Sequence, residues 1–186
     1  PIIGLSMGQT AEIIAHRFGI SREKMDEFSL QSHQRLAAAQ DAGIFKDELN
    51  PVYDRKNHYY SYDSGLRRDT RLEKLASLKP FFDKSFGLVT AGNSSQVTDG
   101  AAFLVLASEK AVQQYQLPVL ARIVDVVWAG VEPSEMGLGP VHAVSILLKK
   151  QQLAFNRIDF WEINEAFAGQ VLACLAAWQD IDYCKT

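Results

Sequence analysis

The chain has 186 residues, a formal net charge of -3, 47% hydrophobic and 22% charged residues. That balance predicts a globular protein with a core, and excludes a disordered or fibrous chain. The lack of a basic excess argues against a nucleic-acid partner, and no apolar run approaches the roughly 18 residues of a transmembrane segment.

In chain order, Met7, Ala11, Ile14 and Phe18 recur at helical spacing and predict a first helix closed by Gly19. Ser21 is placed to cap a second helix that runs to about Ala42 and ends at Gly43. Residues 44–84, with Pro51 and a Tyr/Asn/Asp/Ser/Gly-rich stretch, predict an irregular exposed segment containing one short helix near Leu72–Leu78. Long irregular segments of this kind are often binding loops. From residue 87 the pattern alternates. Apolar runs at 101–107, 121–129 and 158–163 predict strands, and helices are expected at 108–115, at 141–153 and from Asn164 onward. Strand–helix alternation predicts an α/β fold.

Three stretches invite a functional reading beside a structural one. Residues 90–102 (Thr-Ala-Gly-Asn-Ser-Ser-Gln-Val-Thr-Asp-Gly-Ala-Ala) suit either a tight turn or a close backbone approach to a ligand. The Gly/Pro loop 131–140 serves as a connector or presents a helix N-terminus to an anion or carbonyl. Asn164, at a predicted strand-to-helix junction, is either a helix cap or an amide donor to a developing oxyanion, and the two roles can coexist. Arg67, Arg68, Arg71, Lys74 and Lys79 form a basic stretch that is a solvated face or a phosphate-facing one. The cysteines, Cys174 and Cys184, lack metal-site spacing, and His16, His33, His58 and His142 are scattered, so no metal site is expected. Cys174 falls on an apolar helical stripe and reads as a buried structural thiol. A reducing compartment is the default, and a cytoplasmic location is expected.

These motifs, in this order, resemble thiolases, also called 3-ketoacyl-CoA thiolases or acetyl-CoA acetyltransferases. The match is carried by Met7-Gly8-Gln9-Thr10-Ala11-Glu12, by Ala91-Gly92-Asn93-Ser94-Ser95 with Asp99-Gly100-Ala101-Ala102, by Met136-Gly137-Leu138-Gly139-Pro140, and by Asn164-Glu165-Ala166-Phe167-Ala168. Leu75 to Pro80 also fits, and the wording between motifs is most like β-subunits of bacterial fatty-acid oxidation complexes. The resemblance implies an incomplete thiolase-like α/β fold. Residues 1–97 would be a mostly helical loop domain covering coenzyme A, 98–117 the end of one α/β half and 118–186 the start of the other.

The resemblance also implies roles. Met7 would line the substrate cleft, Arg67 approach the nucleotide part of coenzyme A, and Phe82 pack near its adenine or pantetheine. Ala91 and Ser95 would contact the pantetheine arm, Met136 and Phe167 wall the acyl end, and Asn164 hold a catalytic water in an oxyanion hole. Ser6 stands where histidine is frequent in biosynthetic acetoacetyl-CoA thiolases, which weakens that specificity. Coenzyme A and acyl-CoA would be substrates, with no tightly bound cofactor and no metal. The family's nucleophilic cysteine, its Gly-His-Pro histidine and its Cys-Gly-Gly-Gly cysteine have no match in these residues. With Pro1 in place of a methionine, an internal piece of a thiolase is expected, inactive alone and associating with its complement, a second copy or a β-oxidation partner. The other readings are a coenzyme A-binding or structural module without catalysis, and a sterol-carrier-type thiolase homologue.

Overall fold

The computed structural model describes residues 3–180 and 183. Six helices organise it: α1 (Met7–Arg17), α2 (Arg22–Asp41), α3 (Leu72–Ala76), α4 (Glu109–Tyr115), α5 (Gly139–Gln151) and α6 (Ala168–Gln179). The N-termini of the first two follow from local chemistry. Ser6 and Gln9 form a reciprocal capping box on α1, and the Ser21 hydroxyl accepts from the Lys24 amide on α2. Gly19 and Gly43, at φ 60° and 67°, take the chain out of each helix where expected. Ser108 caps α4 in the same way.

The core sits around α1 and α6. On one side Ala11, Ala15, Ile20, Met25, Val89 and Ala168 pack together, with Phe82 and Phe167 against them. On the other, Ile14, Leu138, Val141, Ala173, Cys174 and Ala177 form a second cluster with Phe18. Ile14, Met25 and Leu138 are fully buried. Each such side chain contributes roughly 1.5–3 kcal/mol by leaving water. The small residues of α6 explain why its face is so close to its neighbours.

Two expectations are corrected. The 44–84 segment is not wholly irregular: β1 (Val52–Tyr53) and β2 (Tyr59–Tyr60) pair antiparallel. The intervening turn closes on Asp54, whose carboxylate accepts from the Lys56 and His58 amides at 2.7 and 2.9 Å. The predicted strands at 101–107, 121–129 and 158–163 form no ladder among the described residues. Phe103, Leu104, Val105, Ile123, Trp128 and Phe160 stand exposed there. A β-rich run describes a surface that fits a pleat, but a strand exists only when a second strand takes up its backbone groups. No helix is long and apolar enough to cross a membrane among the described residues.

Candidate functional site

The turn at 88–95 is held from inside by three buried polar side chains. Glu12 on α1 turns its carboxylate to the Leu88 and Val89 amides, at 2.8 and 2.9 Å. Asn93, 2% exposed, accepts from the Thr90 amide at 2.8 Å and donates to the Leu88 carbonyl and the Asp26 carboxylate at 3.0 and 3.1 Å. Asp26 is braced in turn by Arg22, whose guanidinium also donates to the Leu75 and Leu78 carbonyls. The acidic groups are therefore buried only where donors meet them.

That turn pairs with the segment leading into α6. The Ser95 amide donates to the Ala166 carbonyl at 2.9 Å, the Ala168 amide donates to the Asn93 carbonyl at 3.0 Å, and Ser94 bridges Phe167. This pairing corrects the expected start of the last helix. Because residues 166 and 168 spend backbone groups on 93 and 95, α6 begins only at Ala168, with Phe167 at the cap position. Asn164 lies outside the helix and is not its cap. It is exposed on the approach to α6.

Two clefts border this pairing. The first, about 210 Å³, is lined by Met7, Met136, Asn164 and Phe167, together with Ile14 and Gln170. Four predicted site residues from three separate stretches of sequence thus converge. Phe82 stands beside them. Its ring lies so close over Gly8 that a Cβ at that position would fall 2.0 Å from it, and it meets Phe167 edge-on at 6.4 Å between centroids. Gly8 is therefore the residue that lets this aromatic onto α1.

The second cleft, also about 210 Å³, is lined by Ser95 with Ser32, His33, Gly65, Gln96 and Glu165. Arg67 reaches it through its backbone, donating to His33 Nδ1 at 3.4 Å. Ser32 donates to Glu165. Burial holds the His33 imidazole below its ordinary pKa, the Arg67 charge adds to this, and Glu165 opposes it. Ala91 is exposed on the turn and lines neither cleft. Of the predicted residues, Met7, Met136, Asn164 and Phe167 thus line one cleft and Ser95 the other, with the 164–168 segment bordering both.

Cys174 is fully buried, and its thiol donates to the Gly137 carbonyl at 3.2 Å. Burial pushes its pKa up to about 11, so it is a protonated packing group and not a nucleophile. Cys184 lies outside the described residues. No cluster of three metal-ligating side chains occurs among the described residues. Sequence reasoning assigned no role to Glu12, Asp26, Asn93 or Gln170. The available signal was a polar side chain at a core-facing helical position, as with Glu12 between Ala11 and Ile14.

Solved thiolase structures share this fold. The human mitochondrial 3-ketoacyl-CoA thiolase in complex with CoA superposes with a TM-score of 0.91 at 45% identity, covering 98% of this chain and 46% of that one. The profile of the thiolase N-terminal domain matches residues 2–110, and that of the thiolase C-terminal domain matches residues 117–185. The chain belongs to the thiolase family. Among its relatives are the peroxisomal 3-ketoacyl-CoA thiolase B of Rattus norvegicus and a 3-ketoacyl-CoA thiolase of Photorhabdus laumondii. The first is 46% identical over 179 residues, covering 92% of this chain and 42% of the relative. The second is 43% identical over 180 residues, covering 95% and 46%. The chain spans less than half the length of these relatives, and the thiolase-like α/β fold is present in that part. The expected cytoplasmic location is overturned: the relatives include peroxisomal and mitochondrial enzymes beside bacterial ones, and membership assigns no compartment.

Proposed function

We propose that this chain carries the acyl-facing and coenzyme A-facing surfaces of a 3-ketoacyl-CoA thiolase, an acyltransferase of fatty-acid β-oxidation. The observation that carries the reading is the convergence of Met7, Met136, Asn164 and Phe167 on one cleft. In this reading residues 1–97 form the loop domain over coenzyme A, 98–117 end one α/β half and 118–186 begin the other. Met7, Met136 and Phe167 bound the acyl end. Ser95 and Ala91 serve the pantetheine arm, Phe82 packs beside it, and Arg67 faces the nucleotide. Coenzyme A and acyl-CoA are substrates, and no tightly bound cofactor takes part.

The reaction is acyl transfer in two halves. A cysteine thiolate adds to the ketone carbonyl of the 3-ketoacyl thioester. The bond between the second and third carbons breaks, its electron pair leaves on acetyl-CoA as an enolate, and a proton restores acetyl-CoA. A coenzyme A thiolate then takes the acyl group and releases the cysteine. Asn164, exposed in the cleft and free of a capping role, holds the water that donates to the enolate oxygen. Loss of one such donor costs about 10²–10³ in rate. Asn164→Ala in a complete thiolase carrying this segment is expected to lower kcat by that order with a smaller change in KM. An unchanged kcat removes Asn164 from the mechanism.

Among the described residues no cysteine serves as the nucleophile, because Cys174 is buried and protonated. The 186-residue chain alone is expected to show no thiolysis of acetoacetyl-CoA. Turnover by it, at a rate set by its own concentration, refutes this division of labour. The exposed apolar runs at 101–107, 121–129 and 158–163 support association with a complementing polypeptide, a second copy or a β-oxidation partner.

A further inference from the structure

The chain has three methionines, and the fold sorts them. Met25 is fully buried, packed among Ala11, Ala15 and Val89 in the core. Met7 and Met136 are 63% and 47% exposed, and both line the first cleft. They reach it from separate parts of the chain. Met7 opens α1 directly after its Ser6 cap, and Met136 sits in the 133–138 turn that leads into α5. The two open thioethers therefore share one wall with Ile163 and Phe167, and the closed one lies elsewhere. A thioether on an unbranched side chain suits such a wall, because it is apolar, polarizable and adaptable.

We propose that Met7 and Met136 are a paired oxidation site, at which hydrogen peroxide turns the acyl-facing wall of the first cleft from apolar to polar. A sulfur lone pair attacks one peroxide oxygen, and the sulfur–oxygen bond forms as the oxygen–oxygen bond breaks. The proton on the transferred oxygen passes to the departing hydroxide, which leaves as water. The sulfur is oxidised by two electrons to a sulfoxide, and the peroxide is reduced. Met25 is spared because packing keeps the oxidant from its sulfur. An acyl chain that covers a thioether loses nothing, whereas one that covers a sulfoxide oxygen strips it of water without supplying a donor. This rests on the reading of the cleft as the acyl end, and adds control by oxidation to that same site. The coenzyme A arm, which the reading gives to other residues, is little affected.

The test uses the chain in a Cys184→Ser background, which removes a competing thiol. Peptide mass spectrometry follows a peroxide series, and hexanoyl-CoA and coenzyme A are titrated by calorimetry before and after treatment. Met7 and Met136 should each gain one oxygen at doses that leave Met25 unmodified. The treated chain should bind hexanoyl-CoA about tenfold more weakly, with a much smaller change for coenzyme A. Methionine sulfoxide reductase should restore the affinity, a readout that needs no variant. A Met7→Leu/Met136→Leu chain, whatever its starting affinity, should lose none of it on treatment. Oxidation of Met25 as fast as the other two overturns the proposal, as does resistance of Met7 and Met136. Full oxidation of both with unchanged hexanoyl-CoA affinity overturns it too, and leaves the coenzyme A reading standing. An equal loss in the double variant assigns the effect to another group and has the same result. Failure of the untreated chain to bind either probe overturns the coenzyme A reading and this proposal with it.

Discussion

Asn93→Ala is the perturbation that probes the architecture of the site most directly. The side chain makes three hydrogen bonds from a position 2% exposed: from the Thr90 amide, to the Leu88 carbonyl and to the Asp26 carboxylate. The two neutral bonds are worth about 1 kcal/mol each and the one to a charged group about 1.5–3 kcal/mol. Alanine fills none of these roles and leaves a buried amide and part of a carboxylate without their donor or acceptor. The expected loss is about 4 kcal/mol, a large share of the roughly 5–15 kcal/mol that holds an ordinary domain. Urea unfolding followed by circular dichroism measures it, with an unchanged m-value showing that the same surface is exposed. Hydrogen exchange gives the local counterpart. The Ser95 and Ala168 amides, which close the pairing between 93–95 and 166–168, should lose protection more than amides in the middle of α2. Asn93→Asp keeps the acceptor for Thr90 but sets a second carboxylate against Asp26, and it should be tolerated no better. A loss below about 1 kcal/mol in Asn93→Ala, with Ser95 and Ala168 still protected, would refute the claim that this side chain braces both clefts.

Two further outcomes concern titrating groups. In a Cys184→Ser background, Cys174 should stay unreactive toward a disulfide reagent at pH 8 until the chain is unfolded. Its thiol pKa is raised in the folded state, so the unfolded chain releases its proton first, and stability should fall as pH climbs from 9 toward 11. Rapid labelling of the native chain at pH 8 would contradict its burial. His33 has a lowered pKa, so the unfolded state binds a proton more readily and stability should be lost as pH falls below about 6.5. An NMR titration should place its midpoint below that of a free imidazole. Arg67→Gln should raise that midpoint and Glu165→Gln lower it, and a midpoint indifferent to both would remove the electrostatic link across the second cleft.

Local chemistry alone was enough for α1, α2 and α4. Ser6, Ser21 and Ser108 are caps because a serine hydroxyl can satisfy a free amide in its own turn, and Gly19 and Gly43 end helices because they admit a positive φ. The apolar spacing of α1 likewise named Ala11 and Ile14 as core residues in advance, although Met7 of the same spacing stands exposed at the first cleft, and the order of four motifs was sufficient to recognise the family. The turn at Asp54 went unread because its signal is a single carboxylate collecting amides from residues two and four positions on. The three apolar runs were read as strands because composition reports what a segment could pack against, while pairing depends on a partner elsewhere.

Asn164 shows where sequence stopped. Its own chemistry allowed a cap or an active-site donor, and only the backbone bonds between residues 93–95 and 166–168 delay α6 to Ala168 and separate the two roles. The convergence of Met7, Met136, Asn164 and Phe167 on one cleft and the placement of Ser95 on a second were likewise decided by the tertiary structure. Caps and periodicities act within a few residues, and so are written in the local sequence. A cleft is made by segments more than a hundred residues apart, and its geometry exists only once α1 and α6 have packed.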